Sequence, residues 1–231
     1  MISSWEDTLV GLMAAWLLLA GVAYISHRQQ LGLSRNMLIA SIRGPIQLLL
    51  LAFVLHWIFD ISSHWAQAGI IFFFCILAAQ TSSTHHSKHQ KQAWIATTIG
   101  LSCACLATLP WLVFAGVIDN DTRTLIPLGS MIAANGMNAV SIMFERLNSG
   151  GNVGKGMSTA LIPTIDTLRV VGLVHMPGIF VGMILAGSSP LAAASAQLIV
   201  LYMIVASSFT ACMISFLMMK YFDKTHPANE L

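Results

Sequence analysis

Residues 160–187, ALIPTIDTLRVVGLVHMPGIFVGMILAG, constrain this chain more than any other stretch. The segment is long and apolar enough to cross a bilayer once. Yet it carries Asp166, Arg169, His175, two prolines and four glycines. A segment that only anchors a protein in lipid has no use for them. Asp166 and Arg169 are three residues apart, so a helix puts them on one face, where they neutralise each other. Charges in a membrane span are costly and face a bundle interior or a water-filled path, which marks a functional site. Pro177-Gly178 breaks the helix pattern near the middle of the stretch. Backbone freed at that depth survives only where protein or a cavity re-satisfies it. Broken helices at mid-membrane are a recurring way to build transport sites.

The remaining chain has little room for anything but further spans. Of 231 residues, 56% are hydrophobic and only 9% charged, against about 25% charged in soluble domains. The expected fold is all-α and polytopic, a single transmembrane domain over 1–231. It has about seven spans, at 8–26, 37–59, 65–79, 93–117, 125–144, 160–187 and 191–219. The sixth is discontinuous. No soluble domain fits in the loops, and no cleavable signal is evident, because residues 1–7 are acidic rather than basic. A net charge of +2 gives no footing for nucleic acid. Cys75, Cys103, Cys105 and Cys212 all fall in apolar spans, as small hydrophobes rather than a disulfide framework.

Basic residues give an orientation. With seven spans, Arg28, Arg35, Lys88, Lys91, Arg146, Lys155, Lys220 and Lys224 share one side, and only Arg123 takes the other. The N-terminus is then outside and the C-terminus cytoplasmic.

Several polar groups inside the spans are candidate pathway residues. Arg43 and Gln47 are four apart on one helix face. Arg43 either snorkels to the headgroups or turns inward to an acid such as Asp166 or Glu145, and the deeper Gln47 argues for the inward face. Asn135 and Asn138 form a stripe with Met131 and Ser141. Such a stripe either binds helices together beside small residues or lines a path for cargo. His175, Met176 and Met183 add borderline and soft donors near Asp166, although a lone intramembrane His is often only structural. His85, His86 and His89 are a weak metal candidate in a loop, since His at i and i+4 can share an ion. They are one box without a second, which leaves a membrane metalloenzyme as a remote reading. Gly150-Gly151-Asn152-Val153-Gly154-Lys155-Gly156 fails as a P-loop: the first Gly is one place off and no Ser or Thr follows the Lys.

Three blocks carry a family resemblance. They are Arg43-Gly44-Pro45-Ile46-Gln47-Leu48; Met131-Ile132-Ala133-Ala134-Asn135-Gly136-Met137-Asn138-Ala139; and Leu161-Ile162-Pro163-Thr164-Ile165-Asp166 with Val171-Gly172-Leu173-Val174, Met176-Pro177-Gly178, Ser189-Pro190-Leu191 and Gln197. The pattern resembles the FetB-type permeases, bacterial ABC membrane subunits linked to iron export, with plant relatives linked to aluminium tolerance. The resemblance implies a non-enzymatic permease of the inner membrane. It implies a homodimer that exports a metal ion or small polar solute, and a separate cytoplasmic ABC ATPase that holds the ATP; this chain itself needs no cofactor. Arg43, Gln47, Asn135, Asn138, Asp166, Arg169, His175 and Met176 would line the path, with Pro177-Gly178 as hinge. Ala134 and His175 depart from the family pattern, and residues 147–158 are shorter than its usual linker, which carries an amphipathic helix. That shortness opens a second reading, a stand-alone carrier or channel.

Overall fold

A computed structural model describes residues 5–30, 32, 34–61, 63–86 and 89–225, with backbone alone at 5–8, 34, 36 and 223–225. The expectations placed on residues 1–4, Lys88 and His226, and on the side chains of residues 5–8 and Lys224, lie outside it. The described residues form α-helices and no strands: α1 (Trp5–Arg28), α2 (Ser34–Phe59), α3 (His64–Ser83), α4 (Gln90–Phe114), α5 (Thr122–Asn148), α6 (Val153–Val170), α7 (Gly178–Leu185) and α8 (Pro190–Thr225). Six of these, α1 to α5 and α8, are each long and apolar enough to span a membrane. The protein is an all-α, multi-pass membrane protein. The anticipated sixth span is divided between α6 and α7.

The chain falls into two compact units, Met1–Asp60 and Ile61–Leu231. In the first, α1 and α2 pack together. Gln30 and Gly32, both at positive φ, lie in the turn between them. Most of the α1 and α2 side chains are exposed, as suits helices that face lipid or another protein surface.

The second unit is built on α4 and α8, with α3 and α5 against them and α6 and α7 at the side. Its core is rich in small residues: Cys75, Ala79, Ala93, Ala96, Ala104, Cys105, Ala139, Ala211 and Cys212 sit beside Leu101, Ile132, Met143 and Phe144. Lipid tails are as apolar as leucine, so apolar burial alone does not hold membrane helices together; close backbone approach does. At Gly100 a Cβ would overlap Ser215 Oγ and come within 2.8 Å of the Ala211 carbonyl, so α4 meets the backbone of α8 there. At Gly136 a Cβ would lie 2.5 Å from a methyl of Leu101, which brings α5 onto α4. One end of α3 is tied to α5 by polar groups. Gln67 donates to Thr122 Oγ1 at 2.7 Å, and the Thr122 hydroxyl donates to the Ile61 carbonyl.

The glycine-rich linker is a helix stop and start. Gly150 has φ +80°, the Gly151 N–H donates to the Arg146 carbonyl at 3.0 Å and the Gly150 N–H to Leu147 at 3.1 Å. This is the glycine C-cap that satisfies the last carbonyls of a helix. Two residues on, the Asn152 side chain accepts from the Lys155 N–H at 2.9 Å and caps α6. The P-loop-like spelling of this segment is therefore capping chemistry.

Gly69 lies on α3 with nothing within 4 Å of an added Cβ. Gly100→Ala should destabilise the protein by about 1–3 kcal/mol, the usual range for overpacking. Gly69→Ala should not. Thermal unfolding in detergent checks this, with a midpoint several degrees lower expected for Gly100→Ala alone.

Candidate functional site

The break in the 160–187 segment is wider than the Pro-Gly pair and starts earlier. Helix α6 runs through Pro163 and stops at Val170; residues 171–177 are irregular, and Pro177 is the N-cap of α7. Pro163 is tolerated because membrane helices re-satisfy the freed backbone locally. The chain leaves the helix at Val171, with ψ 133°, and Gly172, at φ +83°, completes a turn in which the Leu173 N–H donates to the Val170 carbonyl; Met176, as the residue before Pro177, is turned away from helix. The seven residues satisfy part of their own backbone: the N–H groups of Val174 and His175 donate to the Val170 carbonyl, and that of Gly172 to His175. As a hinge, Pro177-Gly178 is only the downstream edge of this segment.

Beside the break, α5, α6 and α8 enclose a cleft of about 150 Å³. Its polar lining is Asn135 and Asn138 from α5 and Thr164 and Thr167 from α6; Ala139, Ala160 and Leu201 contribute apolar walls. Asn135 is at the midpoint of the 27-residue α5, so the cleft lies about 20 Å from either end of that helix. Asn135 donates Nδ2 to the Met131 carbonyl at 2.8 Å, and Thr167 donates to the Pro163 carbonyl at 2.8 Å. Among the described residues Asn138 and Thr164 have no side-chain hydrogen bond, so their amide and hydroxyl are open to a guest. Sites for drug-sized ligands run about 300–1,000 Å³. This cleft has room only for an ion or a solute of a few atoms, and its polar lining is neutral oxygen and N–H groups.

Asp166 and Arg169 form an ion pair, Nη1 to Oδ1 at 3.0 Å, as their spacing requires. Asp166 lies between two lining residues, Thr164 and Thr167, and so shares the depth of the cleft. It does not line the cleft. The pair sits on a neighbouring face of α6, with side chains 52% and 74% exposed. Hydrocarbon cannot cover such a pair cheaply. This face of α6 needs protein or water against it.

The other sequence candidates are dispersed. His175 and Met176 lie exposed in the 171–177 segment and do not line the cleft. Arg43 and Gln47 are exposed on α2, in the first unit. Glu145 is 3.7 Å from His85 Nδ1. The three loop histidines do not converge on a point: His85 is at Glu145, His86 packs edge-on to Phe144 with centroids 5.3 Å apart, and His86 and His89 centroids are 6.3 Å apart. Among the described residues no three or more His, Cys, Asp or Glu come together to hold a metal ion. The lining residues Thr164, Thr167, Ala160 and Leu201 were not singled out by the sequence, although Thr164 and Thr167 share a face with Pro163 and Ala160 at helical spacing. Gln197, on α8, is not among the residues that line the cleft. It is 5% exposed, its Oε1 has no partner among the described residues, and it lies one helical turn before Leu201.

A family model described as "Uncharacterised protein family (UPF0014)" matches residues 9–156 and 150–222. The chain belongs to the UPF0014 family. Among its UPF0014 relatives, "Probable iron export permease protein FetB" of Escherichia coli (strain K12) is 28% identical over 97% of this chain and 96% of its own length. "UPF0014 membrane protein STAR2" of Oryza sativa subsp. japonica is 26% identical over 91% of this chain and 83% of its own. "Protein ALUMINUM SENSITIVE 3" of Arabidopsis thaliana is 25% identical, over 87% and 85%. No solved structure matches the chain.

The cleft geometry gives an accessibility test in a variant with all four cysteines changed to serine. A small water-soluble thiol reagent should modify Asn138→Cys and Thr164→Cys. Ala133→Cys, at a position only 2% exposed on α5, should stay unmodified. Equal labelling at all three positions would mean that the cleft is not the wet side of α5.

Proposed function

We propose that the chain is the permease subunit of an ABC-type exporter for a small cation, with iron the first candidate because one full-length relative is named an iron export permease. The observation that carries this reading is the cleft: amide and hydroxyl groups from Asn135, Asn138, Thr164 and Thr167 meet at mid-depth of an apolar bundle, beside a span that is broken. Such placement is how transporters put a polar site within hydrocarbon. Asp166 and Arg169 are a switchable pair on α6: turning either side chain away from the other leaves an unpaired charge next to the path. The half-exposed pair also supports a homodimer, since a second copy supplies the protein cover that lipid does not.

The bias of basic residues supports a cytoplasmic α5–α6 linker and α8 end, with a separate ATPase docking there on the inner face of the cell membrane. His85 and Glu145, together with the bond from the Asn148 amide to the His85 carbonyl, tie the α3–α4 loop to the end of α5 on that side. The joined loops form one surface for the partner. A second reading, a stand-alone carrier, is favoured by the linker: only residues 149–152 separate α5 from α6, with no amphipathic helix between them.

Purification of the tagged protein from native membranes in mild detergent separates the two. A stoichiometric nucleotide-binding subunit in the eluate supports the exporter reading. Its absence from an intact, folded sample supports the carrier, which should then move cargo in proteoliposomes without nucleotide. In either case Asp166→Asn and Arg169→Ala should each lose most transport, tenfold or more, with membrane insertion retained. Full transport by both single variants would remove the pair from the mechanism.

A further inference from the structure

A second hollow, of about 610 Å³, lies on another side of the bundle, between α3, α4 and the start of α5. Its lining is mostly apolar, with His64, Gln67, Asn120 and Ser102 and two thiols as the exceptions; His64 Nδ1 is 3.3 Å from Gln67 Oε1. Cys75 and Cys105 line the hollow about 16 Å further along α3, counted from His64. Their sulfurs, from α3 and α4, are 3.8 Å apart, and both cysteines are free. Ser102 lines the same hollow one turn before Cys105, with its buried hydroxyl beside the Cys75 thiol.

We propose that Cys75 and Cys105 are a binding site for a divalent thiophilic cation of the zinc or cadmium class. The sulfurs stand roughly 1.8 Å further apart than the about 2.05 Å of a disulfide bond. A metal bonded to each sulfur at about 2.3 Å sees sulfurs 3.8 Å apart under an angle of roughly 110°, the tetrahedral value, with no movement. Charge selects the valence. Each thiol gives up its proton to solvent as its metal–sulfur bond forms, so two thiolates and one divalent ion leave a neutral centre. A monovalent ion would leave a net negative charge in an apolar hollow, which is expensive. Two sulfur donors select soft and borderline ions over magnesium or calcium. The Ser102 hydroxyl, on the same lining, is available for a third position. Cys105 now leans on the Gly129 carbonyl at 3.9 Å, a contact that deprotonation releases.

The test uses the full chain, purified in detergent and kept reduced, with no nucleotide or partner present. Cadmium is titrated in while ultraviolet sulfur-to-cadmium charge-transfer absorption and proton release are followed. One cadmium per chain and two protons per cadmium are expected. The band should be lost in Cys75→Ser and in Cys105→Ser, and kept in Cys212→Ser, which alters a buried thiol on α8. A wild-type protein with free thiols that shows no band overturns the site, as does a band that survives in the Cys75→Ser/Cys105→Ser double variant. The proton count needs no variant, so a misfolded mutant does not protect the idea. Neither readout involves transport, and failure here leaves the α5–α6–α8 cleft as it stands.

Discussion

Helices in hydrocarbon gain little from burying one apolar side chain against another, because lipid already offers the same surroundings. What holds the second unit of this protein together is instead the approach of backbones at Gly100, Ser215 and Ala211, where α4 and α8 touch. Everything else is arranged about that contact. Leu101, next to Gly100, meets Gly136 and sets α5 on α4. With α5 and α8 fixed, the side where α6 joins them stays loosely filled, and the polar cleft is there. Tight packing on one flank and an incomplete fit on the other are two results of one distribution of small residues.

The same distribution explains what the sequence disclosed. Apolar blocks separated by charged loops are enough to place six long helices to within a few residues, since length and hydropathy are set by the bilayer. The Asp166–Arg169 pair follows from a three-residue spacing. The break in the sixth span was legible as a break, but its extent was not. Pro177 announces itself, whereas Gly172 takes part in the break only through its positive φ, and a lone glycine in an apolar run does not reveal that.

The cleft was half visible for a similar reason. Asn135 and Asn138 are conspicuous amides in a membrane helix. Thr164 and Thr167 are ordinary residues whose role arises from the helix they face, and that is tertiary information. The cysteines show the limit most plainly. Cys75 and Cys105 are thirty residues apart, in different spans, with no motif between them, and their sulfurs come within 3.8 Å through helix packing. The histidines erred in the other direction. His85, His86 and His89 are close in sequence, yet His85 faces Glu145 and His86 packs on Phe144.

Helix α8 has a mechanical consequence. Its 36 residues make a rod of about 54 Å, nearly twice the thickness of the hydrocarbon layer, so it protrudes from the bilayer as one continuous helix. Leu201 and Ile204 on this rod form part of the cleft wall, while Lys220 lies about 24 Å further along it. No proline interrupts the rod after Pro190. A rigid beam with one end outside the membrane converts a small angular push into a displacement at depth. A tilt of roughly 5° about one end moves the other by roughly 5 Å, comparable to one helical turn. The wall of the cleft is thus mechanically continuous with the aqueous surface.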